Sequence, residues 1–431
     1  MTARRLISNK YFLLCSLIVL INACSPSRRI EKSIKKISAT SDYHTGFVLY
    51  DPTQKKTLIS FNGSKYFTPA SNTKIITLYT GLKLLGDSVP ALRYQIQNDS
   101  LLFAGTGDPS FLNENTTNSL RVFEFLKSFP GKLFLIREPK TPEHYGSGWA
   151  WDDYDAYYQA ERTAFPMFGN AVTLSGDSTN LQIHPRLFKD SLTLVETTTE
   201  GFNRLMNKNH FQVQRPVQNL KKNVPLRTSF NLTHELLADT LRREIQNLNF
   251  PQQALKNILF SVPADSIYKT MMQVSDNFIA EQILLMVSQQ LADTMRTEFT
   301  INHMQKNYLS DLPQPLVWVD GSGLSRYNQF TPESIVKVWE KIIELRPAEE
   351  LFPLLAVSGP NGSITSVFRD RPNLIHGKTG SLRHQYSLSG FIHTRSGKTF
   401  IFSSMNANFT NPTSAVRADV EKILNQIYEK F

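Results

Sequence analysis

A chain of 431 residues is too long for one ordinary core and has room for two or three compact units. With 41% hydrophobic, 11% aromatic and 19% charged residues, its composition excludes wholesale disorder. The net charge of +10 invites an anionic partner, but the cations are scattered and the densest runs (Arg28 and Arg29 with Lys32, Lys35 and Lys36, then Lys221 and Lys222) lack interleaved aromatics, so nucleic acid is set aside in favour of a solvated or lipid-facing stretch.

The chain opens with Arg4, Arg5 and Lys10 ahead of an apolar run from Tyr11 to Ile21, too short to cross a bilayer and ending at Asn22, Ala23 and Cys24. A positive flank, a short apolar stretch and a small residue at the cut predict a secretory signal of the lipoprotein type over 1–23. The Ile21-Asn22-Ala23-Cys24 ending resembles a bacterial lipobox, which implies lipidation of Cys24 and an exported, periplasmic protein held at a membrane through its N-terminal lipid. Cys15 leaves with the signal, so the mature chain keeps one cysteine and no internal disulfide. Polar, basic residues 24–40 read as a tether.

From Gly46 to Phe61 two apolar runs flank Asp51-Pro52-Thr53-Gln54, the pattern of a β-hairpin. A buried helix opens just after Pro69 and ends near Gly86, with Ile75, Ile76, Leu78, Leu82 and Leu85 at near-helical spacing. Residues 88–257 change texture: short apolar runs, many turn residues and an aromatic patch from Gly148 to Asn170 predict one or two mostly β inserted modules. Two helices are expected around a polar break at Ser275-Asp276-Asn277. A further helix runs to Leu345 with Thr331 as its N-cap and Pro332 in the first turn. A hairpin turns at Arg395-Ser396-Gly397, and an amphipathic helix after Asn411-Pro412 carries Val416, Val420, Ile423, Leu424, Ile427 and Phe431 on one face. A terminal helix on a sheet built from both chain ends is one domain split in sequence, 41–87 with 258–431, and 88–257 is inserted into it.

Three short motifs carry the chemistry. Ser71-Asn72-Thr73-Lys74 places a hydroxyl and an amine on one helical face, where the amine can take the hydroxyl proton if burial lowers its affinity for one. Ser275 and Asn277 sit between helices, where a hydroxyl can relay a proton to a leaving amine and an amide can orient both Lys74 and substrate. Lys378, Thr379 and Gly380 precede Ser381 on a strand: the cation and hydroxyl suit a substrate carboxylate, and glycine admits the substrate backbone. The backbone N–H groups of Ser71 and Ser381 are the candidate oxyanion hole. Any one motif has a mundane alternative, a surface helix pair or a polar turn; all three in this order, on helix, loop and strand, match the penicillin-recognising serine enzymes.

The segments PASNTK, GTGDPSF, VSDNFIAEQ, DGSGLSRYN and HGKTGSL resemble those of the class C low-molecular-mass penicillin-binding proteins, the D-alanyl-D-alanine carboxypeptidase/endopeptidase family. The resemblance is strong over 47–85 and 265–431 and thin between them. It implies an α/β (α+β) fold, a penicillin-binding-protein/β-lactamase-like transpeptidase domain with an inserted region. It also implies Ser71 as the acylated nucleophile with Lys74 as its base, Ser275 and Asn277 as proton relay and amide contact, and Lys378 and Thr379 as carboxylate holders. The implied activity is D-Ala-D-Ala carboxypeptidase and/or endopeptidase action, with peptidoglycan peptides and β-lactams as ligands. A serine β-lactamase or esterase, or an inactive wall-binding lipoprotein, are the alternatives. Asp152, Asp153 and Asp155 are candidates for the side-chain amine of a stem-peptide diamino acid, and Asp320-Gly321-Ser322-Gly323-Leu324 reads as a scaffolding turn. His44, His376 and His384 form no ligand pattern, so no metal and no cofactor are expected.

Overall fold

The computed structural model describes residues 26–431 apart from 117–119, 138–141, 199, 250, 252–253, 361–363 and 365–366. The signal segment, Cys15 and the lipidation reading at Cys24 lie outside the described residues.

From Pro26 onward the expected tether is instead a helix, α1 (Pro26–Thr40). Its composition is polar, but Ile30, Ile34 and Ile37 fall on one stripe and are buried in a core with Phe400, Val420 and Leu424. Each buried isoleucine contributes roughly 2 kcal/mol, enough to hold a short helix down. Gln426 Nε2 donates to Ser33 Oγ at 2.9 Å and ties α1 to the C-terminal helix.

The expected hairpin is β1 (His44–Asp51) and β2 (Lys56–Phe61). After a 3-10 turn at Ala70–Asn72, α2 (Thr73–Leu84) is buried along most of its length. The inserted region opens with β3 (Ser88–Gln97) and β4 (Ser100–Gly105), crosses over through α3 (Arg121–Ser128) to β5 (Lys132–Ile136), and continues through β6 (Ala171–Gly176), β7 (Gln182–His184), β8 (Leu192–Val195), β9 (Phe202–Arg204), β10 (Phe211–Gln214) and β11 (Leu220–Pro225). It ends with α4 (Phe230–Leu241), β12 (Gln246–Leu248) and β13 (Asn257–Pro263). Its strands form a five-stranded sheet, β12-β5-β4-β3-β13, and two three-stranded sheets. The β4–β5 and β5–β12 pairs are parallel, so this region is less purely β than its turn-rich text suggests; parallel neighbours require crossovers, here α3 and α4. Exit strand β13 pairs antiparallel with entry strand β3, with Pro263 opposite Ser88.

The half of the chain that carries the three motifs resumes with α5 (Ala264–Gln273), α6 (Asn277–Ala292), α7 (Thr297–Asn307) and α8 (Pro332–Leu345). Thr331 caps α8 as expected, its hydroxyl accepting the Ser334 N–H at 3.1 Å. Strands β14 (Ala356–Val357), β15 (Ile375–Leu382), β16 (Gln385–His393) and β17 (Thr399–Ala407) and helix α9 (Thr413–Lys430) complete it. The six-stranded sheet runs β14-β15-β16-β17-β1-β2, so strands from both chain ends pair directly, Phe47 opposite Ser404. One face buries Ile75, Ile283, Trp339 and Phe391 with α2, α5, α6 and α8, and the other buries Ile34, Phe402, Leu388 and Leu424 with α1 and α9. Among the described residues no helix is long and apolar enough to cross a membrane.

Candidate active site

Ser71 stands in the 3-10 turn that leads into α2, and the residue before it is under backbone strain. Ala70 has φ +49, a left-handed conformation that costs a residue with a Cβ on the order of 1–3 kcal/mol. The surroundings hold it there: the Thr73 hydroxyl donates to the Ala70 carbonyl at 2.9 Å, and a side chain at Gly323 (φ +85) would run into that same carbonyl. On the far side Ser387 Oγ donates to Pro69 O at 2.7 Å and accepts from Asn72 Nδ2 at 2.6 Å. The turn that presents the Ser71 hydroxyl is thus fixed from both sides.

One turn on, Lys74 is fully buried, and its Nζ lies 3.0 Å from Ser71 Oγ, 2.6 Å from Asn277 Oδ1 and 2.7 Å from the Ser322 carbonyl. An ammonium has three N–H donors, and all three are used. The neutral amine has two donors and a lone pair. Asn277 Oδ1 and Ser322 O can only accept, so they take the two donors and the lone pair is left for Ser71, the one partner able to donate. The Asn277 amide is held in the required orientation because its Nδ2 donates to Tyr158 O at 2.9 Å. Burial lowers the Lys74 pKa to about 8, against the opposing pull of Asp320, Asp276 and Glu281. Acylation is therefore expected to speed up as pH rises through about 8, where the amine becomes a base; a kcat/KM profile flat across about pH 6 to 9 would contradict this assignment.

Asn277 is positioned by the helix start that follows Ser275. Asp276 is the N-cap of α6, its carboxylate accepting the Ile279 N–H at 2.9 Å, which places Asn277 in the first turn facing Lys74. Ser275 itself adopts φ +64 and lines the cleft beside Asn277.

The third motif lies on β15. Strand β14 pairs it only at His376 and Gly377, so beyond that point its outer edge carries no strand among the described residues and faces the Ser71 turn. A Cβ on Gly380 would stand 2.5 Å from Ser387 Oγ, 2.6 Å from Pro69 O and 3.0 Å from Ser71 N, so glycine is what allows β15 to approach Ser71. Lys378 is buried, its Nζ donating to Thr379 O at 2.8 Å, and no carboxylate forms an ion pair with it among the described residues. Burial and then the nearby Lys74 charge push its pKa well below the usual lysine range. The positive charge of Lys74 works against that of Lys378, an arrangement that an incoming carboxylate would relieve. Ser71, Ser275, Asn277, Thr379 and Ser381 all line one cleft of about 1200 Å³.

Several participants escaped the reading of the sequence. The Asp320–Leu324 segment is more than a scaffolding turn, since the Ser322 carbonyl holds Lys74 directly. The Ser322 N–H donates at 2.8 Å to Glu281 Oε1, a carboxylate 1% exposed. Glu281 Oε2 faces the Arg162 guanidinium of the inserted region at 3.4 Å, and Arg162 also donates to Thr297 Oγ1 at 2.8 Å and Tyr145 O at 2.7 Å. Burial pushes the Glu281 pKa up to about 7, with Asp320 adding to the rise and Arg162 opposing it. Asp320 accepts the Trp149 indole N–H of the inserted region at 2.9 Å and the Ser325 N–H at 2.6 Å. Of the three aspartates singled out, Asp152 and Asp153 reach the cleft wall, whereas Asp155 turns away and accepts the Arg204 N–H at 3.3 Å. Among the described residues no three or more His, Cys, Asp or Glu side chains gather where they could hold a metal.

The profile of the D-Ala-D-Ala carboxypeptidase 3 (S13) family matches residues 27–185 and 206–428. The D-alanyl-D-alanine carboxypeptidase DacB of Haemophilus influenzae is similar to this chain, 23% identical over 410 residues, covering 83% of this chain and 84% of that protein. Among solved structures, penicillin binding protein 4 (dacB) of Haemophilus influenzae aligns with a TM-score of 0.72 at 20% identity, over 92% of this chain and 99% of its own. A predatory peptidoglycan endopeptidase of Bdellovibrio bacteriovorus aligns with a TM-score of 0.51 at 14% identity, over 89% and 93% of the two chains. The mixed α/β fold expected from the sequence is the fold these structures share.

Proposed function

Because this chain belongs to the D-Ala-D-Ala carboxypeptidase 3 (S13) family, we propose that its serine hydrolase activity on the D-alanyl-D-alanine ends and cross-links of peptidoglycan runs through an acyl-enzyme on Ser71. The observation that carries the assignment is Lys74 Nζ, buried and placed within hydrogen-bonding distance of both Ser71 Oγ and Asn277 Oδ1. Neutral Lys74 takes the Ser71 proton as Oγ attacks the D-alanyl carbonyl. The oxyanion sits between the N–H groups of Ser71 and Ser381. Collapse breaks the C–N bond, and the departing amine receives a proton by way of Lys74 and Ser275. Water then cleaves the ester and frees the enzyme. Lys378 and Thr379 bind the terminal carboxylate, while the substrate backbone lies along the open edge of β15 in the manner of an added strand.

A β-lactam presents the same carbonyl and carboxylate and acylates the same serine. A Haemophilus influenzae relative has been solved in complex with a β-lactam, and a Bdellovibrio endopeptidase acylated by penicillin G. Asp152 and Asp153, on the cleft wall, are the groups proposed to meet a diamino acid amine. Export, lipidation at Cys24 and a periplasmic site of action complete the proposal. Fluorescent penicillin is expected to label the native protein at the Ser71 peptide and to leave Ser71→Ala unlabelled at all exposure times; labelling that persists in the variant rules out this nucleophile.

A further inference from the structure

We infer that α1 is a docking surface for an anionic lipid bilayer, and that it holds the catalytic unit flat against the membrane. The helix has two opposed faces. Ile30, Ile34 and Ile37 point into the core beside β2 and α9, and their burial fixes how the helix is rotated. At about 100° per residue, Arg28, Arg29, Lys32, Lys35 and Lys36 all fall on the opposite side, and all five are exposed. Glu31 is the single acid of the helix and pairs with Lys35 at 2.7 Å, an exposed contact that leaves the face strongly positive. The hairpin turn of β1 and β2, the strand pair next to α1, adds exposed Lys55 and Lys56.

Position along the chain selects lipid as the partner. One residue, Ser25, separates Cys24 from the first residue of α1. A chain leaving a membrane at Cys24 enters a helix seated on the core by one face almost at once, so the cationic face is carried into the headgroup layer, where each basic residue adds to binding. The sheet order puts β15, which borders the cleft, four strands from β2, roughly 20 Å at the usual strand spacing. The cleft is therefore offset sideways from the docking helix by a set distance. The surface argument is independent of the catalytic assignment, and its choice of a bilayer as partner rests on the proposed membrane attachment at Cys24.

The test uses lipid-free protein spanning Ser25 to Phe431, which retains all four hydrophobic clusters. It is expected to co-sediment with phosphatidylglycerol vesicles, to be released at high salt and to ignore phosphatidylcholine vesicles. The Lys32→Gln/Lys35→Gln/Lys36→Gln variant is expected to lose at least about tenfold in partitioning while fluorescent penicillin labelling, the measure of an intact fold, is unchanged. A charge-reversed variant with glutamate at the same positions is expected to lose more. Failure of the native protein to bind anionic vesicles, equal binding to neutral ones, or full binding by a triple variant that still labels would each overturn the inference. Loss of labelling in Ser71→Ala with vesicle binding intact would separate failure of this surface from failure of the catalytic site.

Discussion

Lys74→Met is expected to slow acylation by fluorescent penicillin by about a thousandfold or more, the scale on which a positioned base acts. Methionine keeps much of the side-chain length but cannot take a proton. Ser71 Oγ then has no acceptor at 3.0 Å, and its proton must leave to water. The fold should tolerate the change better than most buried substitutions. Asn277 Oδ1 and Ser322 O lose a donor, at about 1–3 kcal/mol each, but the buried charge goes too. The variant should also lose the rise in rate through about pH 8 that belongs to the Lys74 amine. Stopped-flow acylation across pH measures both effects. A rate within tenfold of the native protein would mean another group takes the proton.

Glu281→Ala is expected to be the most destabilising single change near the site, by about 3–5 kcal/mol, because it strands the Arg162 guanidinium in a buried setting and leaves the Ser322 N–H without its acceptor. Thermal unfolding should fall by several degrees, and Glu281→Gln, which keeps an acceptor for Ser322, should recover part of the loss. The kinetic signature separates this from simple damage. Glu281 is one of three carboxylates whose charge raises the Lys74 pKa. Neutralising it lets that pKa fall further, so the acid limb of the acylation profile in Glu281→Gln should move to lower pH. A stable Glu281→Gln variant whose profile is unmoved would mean that the carboxylate only supports the loop.

What could be read from the text of the chain, and what could not, follows how far each signal reaches. Ser71 with Lys74, Thr331 with Pro332, and the Arg395–Gly397 turn are written within a few residues of one another, so helix spacing and capping rules reach them. The meeting of Lys74 with Asn277, far apart in sequence, was accessible only because both belong to short stretches with a recognisable order. Arg162 and Glu281 have no such label: each is one charged residue among many, and only the fold brings the two together. A signal was nonetheless present in Glu281, an acid one turn after Asn277 on the buried side of an apolar helix, where an unpaired carboxylate would be costly. The helix at 26–40 was missed for the opposite reason. Three isoleucines at helical spacing were outvoted by the charge around them, since composition is an average and burial is decided by one stripe.

The inserted region leaves the catalytic half at Ser88 and rejoins it at Pro263, directly opposite in one strand pair, with the Ala264 N–H donating to Asp87 O at 2.9 Å. To the host, the 176 residues from Ser88 to Pro263 are thus little more than a long loop closed at its base. Such a segment could lengthen, shrink or be remodelled over evolutionary time without disturbing the register of the six-stranded sheet. Its freedom is limited where it touches back, as at Trp149 on Asp320, Arg162 on Glu281 and Tyr158 on Asn277. Whatever else drifts in that region, such contacts keep the accessory part and the reacting part from evolving independently.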